Sequence, residues 1–184
     1  MIDIHSHILF GVDDGPGDLY ETLEMLQQAS NEGITEIIAT SHSFHPQYNV
    51  SAKQVIEQIT VLQEQVEINK IPLKIHAGQE VRLVENIVTL VEAKEALTLA
   101  NSNYLLLELP SSTIPKYTKQ MIIALQTKGI TPIIAHPERY HYLELEELIK
   151  LHEMGCLFQG NISSLNGKYG KDAKNNLILL LRKK

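Results

Sequence analysis

The sequence predicts an α/β fold in which parallel strands form a sheet or barrel. Three observations predict it. Short apolar runs alternate with longer amphipathic stretches along the whole chain. Ile37-Ile38-Ala39-Thr40 and Ile133-Ile134-Ala135 are continuously apolar, the pattern of strands buried on both faces. The order helix, glycine, strand recurs at Gly33, Gly129 and Gly155, and strands alternating with helices imply right-handed βαβ units.

Taken in order, residues 2–4 form the first strand. A helix over residues 19–32 follows from Leu19, Leu23, Leu26 and Ala29 at 3–4 spacing, with Gly33 as its stop. The second strand covers 34–40. Residues 51–67 carry Val55, Ile59, Leu62 and Val66 on one helical face, with Ser51 placed to cap it. A strand at 73–77 precedes a helical pattern over 84–99, and a strand at 104–109 precedes a helix at 117–128. A strand at 131–135, a helix at 143–154, a strand at 157–159 and a last helix from 171 to 181 complete the series. Six strands are expected. A full eight-fold barrel needs roughly 250 residues, so 184 residues suit most of a barrel in one domain, residues 1–184.

Composition narrows the function. Sixteen basic against 22 acidic residues make a poor general nucleic-acid binder. No apolar run reaches the roughly 18 residues of a membrane span, and the start Met-Ile-Asp-Ile-His lacks a signal pattern. One cysteine, Cys156, excludes an intramolecular disulfide and fits a reducing cytoplasm. No Gly-x-Gly-x-x-Gly follows a strand, and there is no phosphate-binding P-loop.

Chemistry gathers at the strand ends. Strand one ends in His5-Ser6-His7, strand two in Thr40-Ser41-His42, and strand three leads through Gly78-Gln79 to Glu80. Strand four holds Glu108, and strand five ends in His136-Pro137-Glu138-Arg139. Barrel enzymes build their sites at the C-terminal ends of parallel strands, so these residues are expected to share one mouth. Imidazole and carboxylate together suit divalent transition metals. His5 and His7, two apart on a strand, point the same way. Glu108, inside an apolar run, needs a partner or a metal. Adjacent ions would make a hydroxide from water and neutralise charge on a phosphoryl group. Asp13-Asp14-Gly15 lies close enough to add a carboxylate, and Arg139 offers a guanidinium for phosphate oxygens.

Other residues carry blander readings. His45, His76, His141 and His152 are read as structural or exposed, with His76 a satisfied core histidine. Cys156 reads as a core thiol, residues 144–147 as a solvated helix face, and Arg182-Lys183-Lys184 as charges suited to a helix C-terminus.

Met-Ile-Asp-Ile-His-Ser-His-Ile, Asp13-Asp14-Gly15, Thr40-Ser41-His42, Gly78-Gln79-Glu80 and Ile134-Ala135-His136-Pro137-Glu138-Arg139 together resemble the polymerase-and-histidinol-phosphatase superfamily. More narrowly, they resemble its bacterial manganese-dependent protein-tyrosine phosphatases of capsule and exopolysaccharide synthesis, from Met1 to about Lys171. The resemblance implies a distorted β/α barrel with a multinuclear cluster, usually of three ions. Mn2+ is the expected metal, other divalent transition metals being alternatives. It assigns His5 and His7 to one metal, Glu80 as a bridge to a second completed by Glu108 and His136, and Asp14 and His42 to the third. Asp14 and Arg139 would act in catalysis, Arg139 by binding phosphate. The implied partner is the phosphorylated tail of a bacterial tyrosine kinase. Oligomeric state is left open.

Family members continue into a strand ending in Ser-Asp-x-His, and no Asp-x-His follows His136 here. A C-terminally incomplete domain is therefore expected, with the second metal held best, the third worst, and weak activity at most. Two alternatives stand beside the leading reading. One is a small-molecule phosphatase of the histidinol-phosphate type; the other is a low-activity remnant that only binds the kinase.

Overall fold

The computed structural model describes residues 1–141 and 145–182. Eight strands occur among them: β1 (Ile2–Ser6), β2 (Glu36–Ala39), β3 (His42–Ser43), β4 (Lys74–Ala77), β5 (Glu80–Arg82), β6 (Tyr104–Glu108), β7 (Thr131–Ala135) and β8 (Leu157–Gln159). The helices are α1 (Leu19–Asn31), α2 (Ala52–Ile68), α3 (Ile87–Glu92), α4 (Thr118–Thr127), α5 (Leu145–Glu153), α6 (Ile162–Leu165) and α7 (Gly170–Arg182), with 3₁₀ turns at Leu99–Asn101 and Pro137–Arg139.

All strand pairs are parallel, in the orders β1-β2-β4 and β3-β5-β6-β7-β8. The two groups join. Ala39 pairs with Ala77 and His42 with Glu80 in one unbroken register, so β2 and β3 are halves of one kinked line, as are β4 and β5. Six strand lines result, as expected. β3 and β5 were not expected as separate strands; at two and three residues they are too short to show a period. Gly78 sits at the second kink, where an added Cβ would lie 2.7 Å from Ile38 Cγ2.

Alternation divides each strand between two layers. Leu105, Leu107 and Leu109 of the fourth line, with Ile134 of the fifth, pack outward under the helices, while Leu106, Ile133, Ala135 and Ile38 form a small inner cluster with Leu99. Ile37 and Ala39 pack with Leu26 of α1 and Val55, Leu62 and Val66 of α2. Burying each of those aliphatic side chains contributes about 1.5–3 kcal/mol.

The inner face also carries the polar residues. Continuing from Ile38 by twos reaches His42, which faces Glu80; Glu80 faces Leu106, and Arg82 faces Glu108. Polar side chains therefore form a layer above the inner apolar one. β1 joins this pattern through a bulge: its register on β2 slips by one residue between the Asp3–Ile37 and Ser6–Ala39 pairs. Without the slip Ile4 would match Ile38; with it His5 does. Asp3 Oδ1 accepts the His5 N–H at 3.0 Å within the bulge.

Most helices follow expectation. The exceptions are α6, which was not expected, and residues 84–99, where only Ile87–Glu92 is α-helical. Lys94 takes a positive φ of 59° and ends the helix, Ala96 enters the core, and Gln79 Oε1 accepts the Leu97 N–H at 2.8 Å. The helix expected at 143–154 begins, as described, at Leu145; Leu143 and Glu144, and the terminal Lys183 and Lys184, lie outside the described residues. No helix among the described residues is long and apolar enough to cross a membrane.

Ser51 caps α2 in a full capping box: its hydroxyl accepts the Gln54 N–H, and the Gln54 side chain accepts the Ser51 N–H. Ser51→Ala should cost about 1 kcal/mol, a fall of about 2–4 °C in melting temperature. Thermal unfolding followed by circular dichroism checks this, and an unchanged midpoint contradicts it.

Candidate metal centre

Glu80, 1% exposed, is the centre of the polar layer. Its Oε2 lies 3.2 Å from His5 Nε2, 3.1 Å from His7 Nε2 and 3.3 Å from His42 Nδ1. Its Oε1 lies 2.8 Å from His136 Nε2. Four imidazoles from three strand lines thus meet one carboxylate. Burial alone would raise its pKa, but His136, His5 and His7 outweigh it and hold the group well below the usual carboxylate range.

His7 turns its other nitrogen to the loop after β1, with Nδ1 3.0 Å from both Asp13 Oδ2 and Asp14 Oδ1. Burial opposes a charge on this ring, yet Asp13, Asp14 and Glu80 raise its pKa well above the ordinary histidine value. His7 in turn lowers Asp14 to about 2. Asp13 also accepts the backbone N–H groups of His42 and Gly15, at 3.0 and 3.1 Å. Gly15 is required where it stands, since a Cβ would meet the His7 carbonyl oxygen at 2.6 Å. Asp13, rather than Asp14 alone, therefore ties this loop to the strand ends.

Burial lowers the pKa of His42, and the positive His7 adds to that, so the ring favours its neutral, ligand-competent form. Its Nδ1 lies 3.9 Å from Glu108 Oε2 and its Nε2 3.7 Å from Asp14 Oδ1. Glu108 has a partner that the sequence did not suggest: Arg82 Nη1, at 3.3 Å.

All the candidate ligands, and Arg139 with them, line one cavity of about 1310 Å3 that includes the C-terminal ends of the strands. The donor atoms form three overlapping sets: His5, His7 and Glu80; His7, Asp14 and His42; and His42, Glu80 and Glu108. Their chemistry fits divalent transition ions. A single buried carboxylate facing four nitrogens, with anionic oxygens beyond, can take cationic charge without further rearrangement of the fold. The third set groups Glu108 with His42, whereas the sequence resemblance groups it with His136.

Arg139 is exposed and stacks on Tyr169, with its guanidinium carbon 4.5 Å from the ring centroid. His45, expected to be structural or exposed, is half-buried: its ring stacks on His42 with centroids 4.7 Å apart and, with Tyr48, lines the cavity. His76 pairs with Glu36 at 2.6 Å, and His152 Nδ1 lies 3.3 Å from the Cys156 carbonyl; both are structural. Cys156 is fully buried, outside the cavity, and burial pushes its thiol up to about 11.

Comparison with known proteins places this geometry. The chain is 42% identical to CapC of Staphylococcus aureus and 36% identical to the tyrosine-protein phosphatase YwqE of Bacillus subtilis. Each match covers 95% of this chain and 69% of the relative. A solved structure from work on YwqE of B. subtilis and CpsB of Streptococcus pneumoniae, described as unique metal-dependent tyrosine phosphatases, superposes with a TM-score of 0.94 at 36% identity. It covers 99% of this chain and 74% of that one. A family model for capsular polysaccharide synthesis, CpsB/CapC, matches residues 1–184, and the chain belongs to that family.

Proposed function

We propose that this protein is a metal-dependent phosphoric monoester hydrolase that removes phosphate from phosphotyrosine, with Mn2+ as its ion. The phosphorylated tail of a bacterial tyrosine kinase of capsule synthesis is its substrate, and residues 1–184 form one phosphatase unit. The observation that carries the reading is the buried Glu80 carboxylate with four imidazoles on its two oxygens. Membership of a family whose relatives are tyrosine phosphatases supports the substrate class.

In this reading His5, His7 and Glu80 hold one ion, Glu80 with Glu108 and His136 a second, and Asp14 with His42 a third. Bound divalent ions supply Lewis-acid stabilisation of phosphoryl oxygens and a water acidified at neutral pH. The residues do the rest. Glu80 fixes the spacing of the donors by sharing its oxygens among them. Asp13 and Asp14 orient His7, and Arg82 pairs with Glu108 at the cavity wall and orients its carboxylate. Arg139 leaves Tyr169 to take two phosphate oxygens, a rearrangement with little cost because an exposed cation–π contact is worth only about 0.5–1 kcal/mol.

Three outcomes are expected. First, a phosphotyrosine peptide should be hydrolysed with added Mn2+ in preference to histidinol phosphate, and a chelator should stop turnover. Glu80→Gln should weaken Mn2+ binding by more than about 100-fold, beyond the range for an outer-shell change, and abolish activity. Full Mn2+ affinity and turnover in that variant would contradict the assignment.

Second, Mn2+ binding at pH 7 should release protons. His7 holds a proton there because its pKa is raised, and a nitrogen ligand must shed it. Apparent affinity should therefore rise with pH until His7 is deprotonated. Calorimetry in two buffers of different ionisation enthalpy reads the release, and zero release or proton uptake counts against the site.

Third, Cys156→Ser should leave turnover nearly unchanged, because the buried thiol, pushed up to about 11, supplies almost no thiolate at neutral pH. Complete loss in a folded variant would point instead to a thiolate mechanism.

A further inference from the structure

Gln159 lies at the end of β8, opposite Ala135 in the register, and its amide points into the polar layer. Two one-way partners settle which end of the amide is which. Gln159 Oε1 accepts the backbone N–H of His136 at 3.3 Å, and a backbone N–H can only donate. Gln159 Nε2 donates to the Gly160 carbonyl at 3.2 Å, which can only accept, and to Asn161 Oδ1 at 3.0 Å. The oxygen therefore faces His5 Nδ1, at 2.6 Å. An amide oxygen has no proton to give, so the contact requires Nδ1–H on His5.

In the neutral ring this leaves the lone pair on Nε2, which is aimed at Glu80 Oε2 across 3.2 Å. A lone pair and a carboxylate oxygen at that distance repel unless a cation lies between them. The same Gln159 oxygen also holds the backbone of His136, whose Nε2 meets the other oxygen of Glu80. One amide thus bears on two neighbouring histidines, their ring centroids 5.7 Å apart, that reach different oxygens of the central carboxylate, and it ties β8 to β1, the two end strands of the sheet.

From this geometry we propose that Gln159 is a positioning residue for the metal centre. It holds His5 as the Nδ1–H tautomer, so that Nε2 is the donor atom, and it keeps His136 in place beside it. The role rests on the proposed use of His5 as a metal ligand, but the tautomer itself does not.

The test has two readouts. In metal-free protein, well above the ordinary histidine titration range, nitrogen-15 spectra of the ring should show His5 Nδ1 as the protonated nitrogen. Gln159→Leu keeps the bulk and removes both polar atoms; its His5 should lose the Nδ1 preference, and Mn2+ affinity should fall about 10–100-fold by calorimetry. Gln159→Glu keeps an acceptor oxygen and should restore the Nδ1 proton. A wild-type His5 protonated at Nε2 overturns the proposal, and that spectrum needs no variant to fold. Mn2+ affinity within twofold of native in a folded Gln159→Leu protein overturns it as well. Failure of the native chain to take up Mn2+, with Nδ1 protonated, would sink the metal reading and the positioning role but leave the tautomer assignment standing.

Discussion

One buried carboxylate governs the organisation of this protein. Glu80 is almost completely removed from water, and an ionised carboxylate in that position is very costly unless it is neutralised locally. The compensating charge comes from the protonated His7 just past β1, and the rings of His5 on β1, His42 on β3 and His136 after β7 close round the same two oxygens. These elements are far apart in sequence, so the interaction can form only when the sheet has the correct order and register. The apolar layer below supplies the folding free energy. The carboxylate dictates which strand ends meet above it.

That division of labour explains the local irregularities. The slip in β1 places His5, rather than Ile4, level with Ile38 on the inner face. The kinks between β2 and β3 and between β4 and β5 preserve register while the ladder is interrupted. His136 takes a positive φ of 33° as the chain leaves β7, which departs from simple alternation and brings its Nε2 to Glu80. A non-glycine residue there is strained by roughly 1–3 kcal/mol, and its place beside the central carboxylate gives that strain a functional setting. Asp13, Arg82 and Gln159 form an outer ring of partners that orient His7, Glu108 and His5.

Much of this was legible in the sequence because the signals were chemical or strongly periodic. Thr131–Ala135 and Leu157–Gln159 fall where the apolar runs put them, and Ser51 caps α2 as its residue type suggests. His5, His7, His42, Glu80, Glu108 and His136 stood out as polar residues at the ends of apolar runs. What could not be read depends on register and tertiary pairing. The β1 bulge has no residue signature. Arg82 and Gln159 look like ordinary polar residues until Glu108 and His5 are seen beside them. His45 was set aside because nothing nearby in sequence marks it; only the return of the chain after β3 stacks it on His42. The helical pattern over residues 84–99 was overruled by core packing and by Gln79 capturing the Leu97 N–H.

The central claim is that Glu80 bridges cations held by the surrounding imidazoles. Anomalous diffraction from crystals of the chain grown with Mn2+ tests it most directly. The account predicts the strongest manganese peaks within bonding distance of the Glu80 oxygens, one of them shared with Nε2 of His5 and His7. Manganese absent from this layer, with the four imidazoles still in direct contact with Glu80, would show that the cluster is a structural ion-pair network and contradict the account.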